Sequence, residues 1–282
     1  MDIIDGKKLA EQIKDEIAQE IINLGGTERP NLAIILVGDR PDSQLYVSLK
    51  EKQAKTVGID THLYKCPENI TEEELLETIN FLNKDDEVDA ILVQMPLPKE
   101  IDSFKIIESI DPMKDADGFH SENLRKLDNL NGEALIIPPV FGAILEMLKS
   151  VGCSLIEKQV CIIANADIFE DNLARVLEQR GAKVELTKIE DEDLIDKTVK
   201  ADIIITAVGQ PKFLKQHMIK EKAMIIDVGI AKDENNKVCG DVDFEDVEDK
   251  ASYVSPVPGG VGPMTIAMAF RNTLIAYNNR HK

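Results

Sequence analysis

LAIILVG, Leu32 to Gly38, is an unbroken apolar run of mostly branched side chains closed by a glycine. A strand with one wet face alternates apolar and polar residues. A run without alternation fits a strand covered on both faces, as in a parallel sheet. Upstream, Leu9, Ile13, Ile17 and Ile21 recur every four residues among Lys, Glu and Asp, a helical period that Gly25-Gly26 stops. Downstream, a second helix runs to about Thr56, with Asp42 and Ser43 available as caps and Gly58 as its stop. THLYKC (Thr61 to Cys66), a helix from about Thr71 to Asn83, and DAILVQM (Asp89 to Met95) extend the alternation. Strands alternating with helices of this length mean βαβ units and a mostly parallel sheet.

The second half repeats the pattern without repeating the sequence. QVCIIAN (Gln159 to Asn165), AKVELTK (Ala182 to Lys188), ADIIITAVG (Ala201 to Gly209) and AMIIDVGI (Ala223 to Ile230) read as strands, with helices near 171–180 and 191–199. Residues 120–137 carry turn formers and no clean period, which puts a domain junction there. The last helix follows PVPGGVGP and runs from about Met264 to Tyr277. The fold class expected is α/β in two lobes with a cleft between them. One lobe ends near residue 120, and the next begins near residue 138.

Composition narrows the function. The 282 residues suit two domains, and 43% hydrophobic content is ample for their cores. A net charge of −19 repels phosphate backbones and anionic lipid surfaces, so neither nucleic acid nor membrane is an expected partner. Cys66, Cys153, Cys161 and Cys239 show no Cys-x-x-Cys pair or metal-ligand spacing, so no metal site is expected and the thiols suit a reducing, cytoplasmic compartment. The opening MDIIDGKKLAEQ lacks the apolar core of a signal peptide.

Four segments carry chemistry. Tyr46 and Lys50 lie four residues apart and share a helix face, just after a parallel strand, where open α/β sheets place ligands. A lysine desolvated there has a lowered pKa and can act as a base. Taken alone, the pair reads equally as a solvated Lys and a half-buried Tyr. In VQMPLP, Gln94 is the polar residue closing an apolar strand, and its amide needs partners. DPMKDADGFH (Asp111 to His120) concentrates acids, a Lys and a Gly, and alone reads as a surface loop. SPVPGGVGPMT (Ser255 to Thr265) opens a helix with glycines that let backbone approach a ligand.

In this order, the segments resemble the bifunctional methylenetetrahydrofolate dehydrogenase/methenyltetrahydrofolate cyclohydrolase family over essentially the whole chain. YVSLKEKQAKTVGI resembles its Tyr-x-x-x-Lys helix, AILVQMPLP its Gln-bearing strand end, and DPMKDADGFH its Lys-Asp-x-Asp-Gly-Phe signature. ADIIITAVGQP, IIDVGI, GDVDF and PVPGGVGPMT match its C-terminal half. The resemblance implies that Lys50 is the catalytic lysine, tuned by Gln94, with Asp117 anchoring the pterin. It implies that Tyr46 packs on the aminobenzoyl part of the folate and that Leu97, Pro98, Gly259, Gly260 and Pro263 line the substrate. It implies that residues 1–120 plus 266–282 form an N-terminal catalytic lobe, the last helix returning to it, and residues 138–265 a Rossmann-like lobe with a parallel sheet. Tetrahydrofolate derivatives are the implied partners, and a homodimer the implied assembly.

One segment departs from that family. Its dinucleotide turn resembles Gly-Arg-Ser-x-x-Val-Gly-x-Pro, and this chain has ANADIFEDN over 164–172. Ala164, Asn165 and Ala166 replace the Gly, Arg and Ser, Glu170 the second Gly, and Asn172 the Pro. Asp167, Glu170 and Asp171 crowd a helix start where a diphosphate would sit. A Pro-Cys-Thr-Pro segment is replaced by PPVFG (Pro138 to Gly142), and Thr187-Lys188 stands where the family has a His-Ser pair. Only Ala164, Asn165, Ala166 and Ile230 are left as a degenerate cofactor site. The expectation is therefore a hydrolase converting 5,10-methenyltetrahydrofolate to 10-formyltetrahydrofolate that requires no cofactor and binds NADP poorly. The alternatives are the full bifunctional enzyme with an NAD(P)-dependent dehydrogenase, and a silent folate-binding partner protein.

Overall fold

The run Leu32 to Val37 is buried at every residue, which a strand achieves only with cover on both faces. In the computed structural model, which describes residues 1–25, 29–127, 135–165 and 167–281, that run belongs to a small parallel sheet. The chain begins with β1 (Asp2–Ile3), α1 (Gly6–Asn23), β2 (Asn31–Val37), α2 (Pro41–Val57) and β3 (Asp60–Cys66). It goes on through α3 (Glu72–Lys84), β4 (Ala90–Val93), α4 (Ser103–Ser109), α5 (Ser121–Lys126) and α6 (Pro139–Ser150). Next come β5 (Gln159–Ala164), α7 (Asp167–Glu178), β6 (Lys183–Thr187), α8 (Leu194–Thr198), β7 (Ile203–Ala207) and β8 (Met224–Asp227). The last elements are β9 (Ala231–Lys232), β10 (Val238–Cys239), α9 (Phe244–Val247), β11 (Tyr253–Val254) and α10 (Val261–Arg280). Two compact units result: residues 11–139 with 266–282, and residues 1–10 with 140–265.

In the first of these units the sheet order is β3-β2-β4, all parallel. The chain leaves β2 for one edge and returns to the other, so the ends of β2 and β4 diverge at a topological switch point. Helices α3 and α4 bury Leu75, Ile79, Leu82 and Ile106 against Ala33, Ile35, Val37, Ile91 and Val93. Thr71 starts α3 with a capping box, its hydroxyl accepting from Glu74 N while the Glu74 carboxylate accepts from Thr71 N. Helix α2 departs from expectation: neither Asp42 nor Ser43 caps it, because Pro41 already begins the helix and Arg40 is the cap residue. The C-terminal α10 rejoins this unit, and Asn272 Nδ2 donates to the carbonyls of Ala116 (2.8 Å) and Ile137 (2.7 Å).

The segment that alone reads as a surface loop is a buried knot. Lys114 Nζ donates to the carbonyls of Leu82 (3.0 Å) and Asp85 (2.7 Å), closing the end of α3. Ile91 N donates to Lys114 O and Ala116 N to Ile91 O, which ties the segment alongside β4. Asp115 accepts from the backbone N–H groups of Asp117, Gly118 and His120 and from Asn123 Nδ2. Gly118 has φ of +66° and sits so near the next segment that a Cβ there would lie 2.6 Å from the Ile137 carbonyl carbon.

In the other unit the order is β1-β11-β8-β7-β5-β6, every neighbour parallel. Its switch point lies between β5 and β7. One core cluster packs Ile163, Ile204, Ile225 and Val254 of the sheet against Leu194, Met218 and Val247. The edge strand β1 and its neighbour β11 have two residues each, too short to show a period. Pairing of Asp2 with Tyr253 brings residues 1–10 here, where the sequence assigns them to the catalytic lobe. Helix α6 begins at Pro139, since the missing N–H is harmless in a first turn, and that is why PPVFG hides it. For the same reason α10 starts at Val261, ahead of Pro263. Helix α7 starts at Asp167, earlier than its apolar period shows. The glycine at 26 and most of the junction, 128–134, lie outside the described residues.

Replacing Gly118 with Ala should destabilise this protein. The left-handed backbone alone costs roughly 1–2 kcal/mol for a residue with a Cβ, and the overlap with Ile137 adds to it. A urea midpoint equal to that of the wild type would show that the backbones do not approach this closely.

Candidate active site

Lys50 and Gln94 come from the two strands that flank the switch point of the small sheet. Lys50 lies on α2, which follows β2, and Gln94 directly follows β4. Lys50 Nζ donates to Gln94 Oε1 at 3.0 Å. Gln94 Nε2 donates in turn to Met95 O at 2.7 Å, which fixes the amide so that its oxygen faces the amine. Asp117 is presented by the Asp115 knot on the segment alongside β4. The three side chains converge from 67 residues of chain because parallel strands end on the same edge.

Electrostatics bind the group together. Burial pushes the Lys50 ammonium below its ordinary value, and the nearby Asp117 carboxylate opposes that shift. Loss of water pushes the Asp117 carboxyl up to about 6, with Lys50 pulling it down and Asp115 raising it. Asp115 is itself raised by burial, against the three N–H groups and the amide that it accepts from. An amine and an acid with values moved toward each other suit proton transfer near neutral pH.

The other expected site residues distribute as follows. Tyr46 is one turn before Lys50 on α2 with its ring 39% exposed, free to meet a ligand. Leu97 and Pro98 are half-buried just beyond Gln94. Gly259, Gly260 and Pro263 belong to the other unit, where Gly259 O accepts from Lys7 N and a Cβ on Gly6 would strike Gly260 O at 1.9 Å. Gly259 itself has φ of +109°, and a Cβ on Gly260 would lie 2.5 Å from Pro256 O, so both have a local reason to be glycine. The sequence reading missed Asp115, Lys114 and Asn272, which hold the site without entering it. Their one signal is polarity at buried positions, visible only when burial is known.

At the switch point of the larger sheet, Ala164 ends β5 in the core, and exposed Asn165 donates from Nδ2 to Val208 O beyond β7 at 3.4 Å. Ala166 lies outside the described residues. Ile230, beyond β8, is 55% exposed although apolar, and its carbonyl adjoins Gly209, whose φ is +70°. The 12-residue helix α7 opens from the end of β5, so its first N–H groups lie at that end of the sheet. An open apolar side chain, a glycine turn and a helix start at one switch point fit a dinucleotide.

Comparison with known proteins agrees. A family model described as the tetrahydrofolate dehydrogenase/cyclohydrolase catalytic domain matches residues 4–117, and its NAD(P)-binding counterpart matches residues 138–281. The chain belongs to the tetrahydrofolate dehydrogenase/cyclohydrolase family. The bifunctional protein FolD of Nitratiruptor is 44% identical over 284 residues, covering 100% of each chain. The crystal structure of FolD methylenetetrahydrofolate dehydrogenase/cyclohydrolase from Campylobacter jejuni is similar with a TM-score of 0.95 at 43% identity, over 99% of each chain. The Trypanosoma brucei enzyme, crystallised with NADP cofactor and an inhibitor, has a TM-score of 0.93 at 33% identity over 99% of this chain and 98% of its own.

These matches correct the expectation that no cofactor is required and that NADP is doubtful. An NAD(P)-binding domain of the tetrahydrofolate dehydrogenase/cyclohydrolase family covers residues 138–281 despite the ANADIFEDN turn. The physical reason is that a Rossmann-type cradle is a property of the whole strand edge. Glycine turns after β7 and β8 and the start of α7 persist when one turn loses its Gly, Arg and Ser.

A carbon-13 titration of the Asp117 carboxyl should give a midpoint near 6. In Lys50→Met that midpoint should move upward, because the positive charge that favours the carboxylate is gone. A midpoint that stays put would show that the two groups are not electrostatically coupled.

Proposed function

We propose that this chain is a bifunctional enzyme of one-carbon metabolism. It oxidises 5,10-methylenetetrahydrofolate to the 5,10-methenyl form, and it hydrolyses that product to 10-formyltetrahydrofolate. The observation that carries the hydrolytic half is the buried Lys50 amine bonded to Gln94 Oε1 beside Asp117. The NAD(P)-binding domain over residues 138–281 and the full-length identity to FolD proteins support the oxidative half and favour it over a hydrolase alone.

Oxidation removes a hydride from the methylene carbon, and a bound nicotinamide dinucleotide supplies the acceptor. Ile230, Asn165, the Gly209 turn and the start of α7 are the residues that would hold it. The methenyl carbon so formed is cationic and bridges two nitrogens. Water adds to that carbon, and Lys50, favoured as the neutral amine by burial, takes a proton from the water as the C–O bond forms. The bond from the carbon to N5 then breaks as the new hydroxyl gives up its proton and becomes the carbonyl, N5 takes a proton in exchange, and the formyl group stays on N10. Gln94 Oε1 holds one amine N–H and so directs the lone pair of Lys50. Asp117 accepts N–H groups of the pterin, a charge-assisted contact that orients the ring. Tyr46 packs on the aminobenzoyl part. The free thiols of Cys66, Cys153, Cys161 and Cys239 suit the reducing cytoplasm, and a homodimer is the assembly that family membership suggests.

Lys50→Met keeps the aliphatic stem and removes the proton acceptor, a role worth about 10²–10⁴ in rate. Methenyl hydrolysis should fall by that factor while thermal melting stays unchanged; hydrolysis at the wild-type rate would remove Lys50 from the base role. Assays of purified protein for methenyl hydrolysis and for oxidation with NADP and with NAD, run side by side, test the whole reading. Hydrolysis without oxidation by either dinucleotide would reject the bifunctional assignment.

Affinity for a folate analogue should fall as pH drops through about 6, because protonation converts the Asp117 carboxylate from an acceptor to a donor. The carboxylate form, and the affinity with it, is fully present well above that value. Asp117→Asn should bind roughly ten- to a hundredfold more weakly at neutral pH, the scale of a hydrogen bond to a charged group, and should lose the pH step. Equal affinity for wild type and variant across pH 5 to 8, by titration calorimetry, would place Asp117 outside the pocket.

A further inference from the structure

Beyond the switch point of the larger sheet, two carboxylates are sunk into the protein. Asp241, fully buried, accepts from Thr206 Oγ1 at 2.9 Å, Val208 N at 2.8 Å and Gln210 N at 2.9 Å. Asp227, at the end of β8, accepts from Gly229 N at 3.0 Å, Asp241 N at 3.2 Å and Val242 N at 3.0 Å. The Asp227 backbone N–H is held in turn by Ser255 Oγ at 2.7 Å. The two acids therefore link the turn after β7, the turn after β8 and the turn at 240–242 into one network.

The surrounding chain is shaped to admit them. A Cβ on Gly229 would lie 2.1 Å from the Asp241 carboxylate, and one on Gly240 would lie 2.0 Å from Asp227 Oδ2. Each carboxylate thus occupies the volume of a side chain missing opposite it. Such an arrangement is costly: burial, and after it the nearby Asp241 carboxylate, push Asp227 up to about 7 against its three N–H donors. A sheet end needing only stability would be served by apolar packing. What the network fixes is the backbone of 206–210 and 227–230, whose outer side carries Gly209 and the exposed Ile230.

We propose that Asp241 and Asp227 are positioning residues for the dehydrogenase reaction, setting the turns after β7 and β8 so that Gly209 and Ile230 receive the dinucleotide. Neither carboxylate touches the dinucleotide; each acts through backbone N–H groups. The proposal rests on the dehydrogenase reading above and deepens it.

The test uses the full chain, with methenyl hydrolysis as an internal control because Lys50, Gln94 and Asp117 all belong to the other unit. Asp241→Asn turns one acceptor into a donor facing other donors, and Thr206→Val removes a single hydroxyl with little change of volume. Both should raise the KM for the better of NADP and NAD about tenfold or more, with hydrolysis within about twofold of wild type. Thr206→Ser, which keeps the hydroxyl, should recover the KM. A merely structural role would lower the melting temperature and leave the dinucleotide KM of the folded enzyme unmoved. Should Asp241→Asn fail to fold, the Val and Ser pair at 206 decides, since the carboxylate stays. An unchanged KM in Thr206→Val, a Ser variant no better than Val, or hydrolysis and oxidation falling together would each overturn the positioning role. A wild type that hydrolyses but oxidises with neither dinucleotide would instead sink the bifunctional reading, and this proposal with it.

Discussion

A lysine amine kept from water and bonded to a single amide oxygen is the interaction that the catalytic unit is arranged around. An unpaired ammonium in such a place is unfavourable, so the amine shifts toward its neutral form unless a carboxylate compensates. Asp117 compensates only in part, because it is desolvated too. The result is an amine and an acid whose protonation states depend on one another. That state persists only if the backbone holds both groups where water cannot relax them. The Asp115 knot, the Lys114 contacts to the end of α3 and the Asn272 bridge from α10 do that holding.

The same device occurs in the two units with different residues. Each has a parallel sheet in which the chain reverses direction across the sheet, β2 with β4 in one and β5 with β7 in the other. Parallel strands end on one edge, so segments far apart in sequence meet there. In one unit the meeting assembles side chains that can move a proton. In the other it assembles turns stabilised by buried carboxylates. The dinucleotide unit relies on backbone shape, and that explains how ANADIFEDN can replace a glycine turn while the NAD(P)-binding domain remains recognisable over residues 138–281.

That difference sets what a sequence can express locally. Lys50, Gln94 and Asp117 are side chains whose chemistry is written in their identities, and the structure brings Lys50 and Gln94 within 3.0 Å. The dinucleotide question turned on a nine-residue segment, and a single segment is a poor measure of a site built from several turns. Elements were missed where their signal is short or disguised. The strands β1 and β11 have two residues each, and α6 begins on Pro139 within a proline pair.

The amino-acid sequence by itself determined the α/β class, the strands β2 to β8, and the polar residues that stand out against them. It could do so because hydrophobic period and chemical identity are local properties. Only the tertiary structure decided that residues 1–10 join the dinucleotide unit, that DPMKDADGFH is a buried knot, and that Asp227 and Asp241 interlock with Gly240 and Gly229. Those outcomes depend on which distant backbone groups are left needing a partner once water is excluded. No short stretch of sequence carries that information, because donors and acceptors lie far apart in the chain, 35 residues for Thr206 and Asp241 and 156 for Asn272 and Ala116.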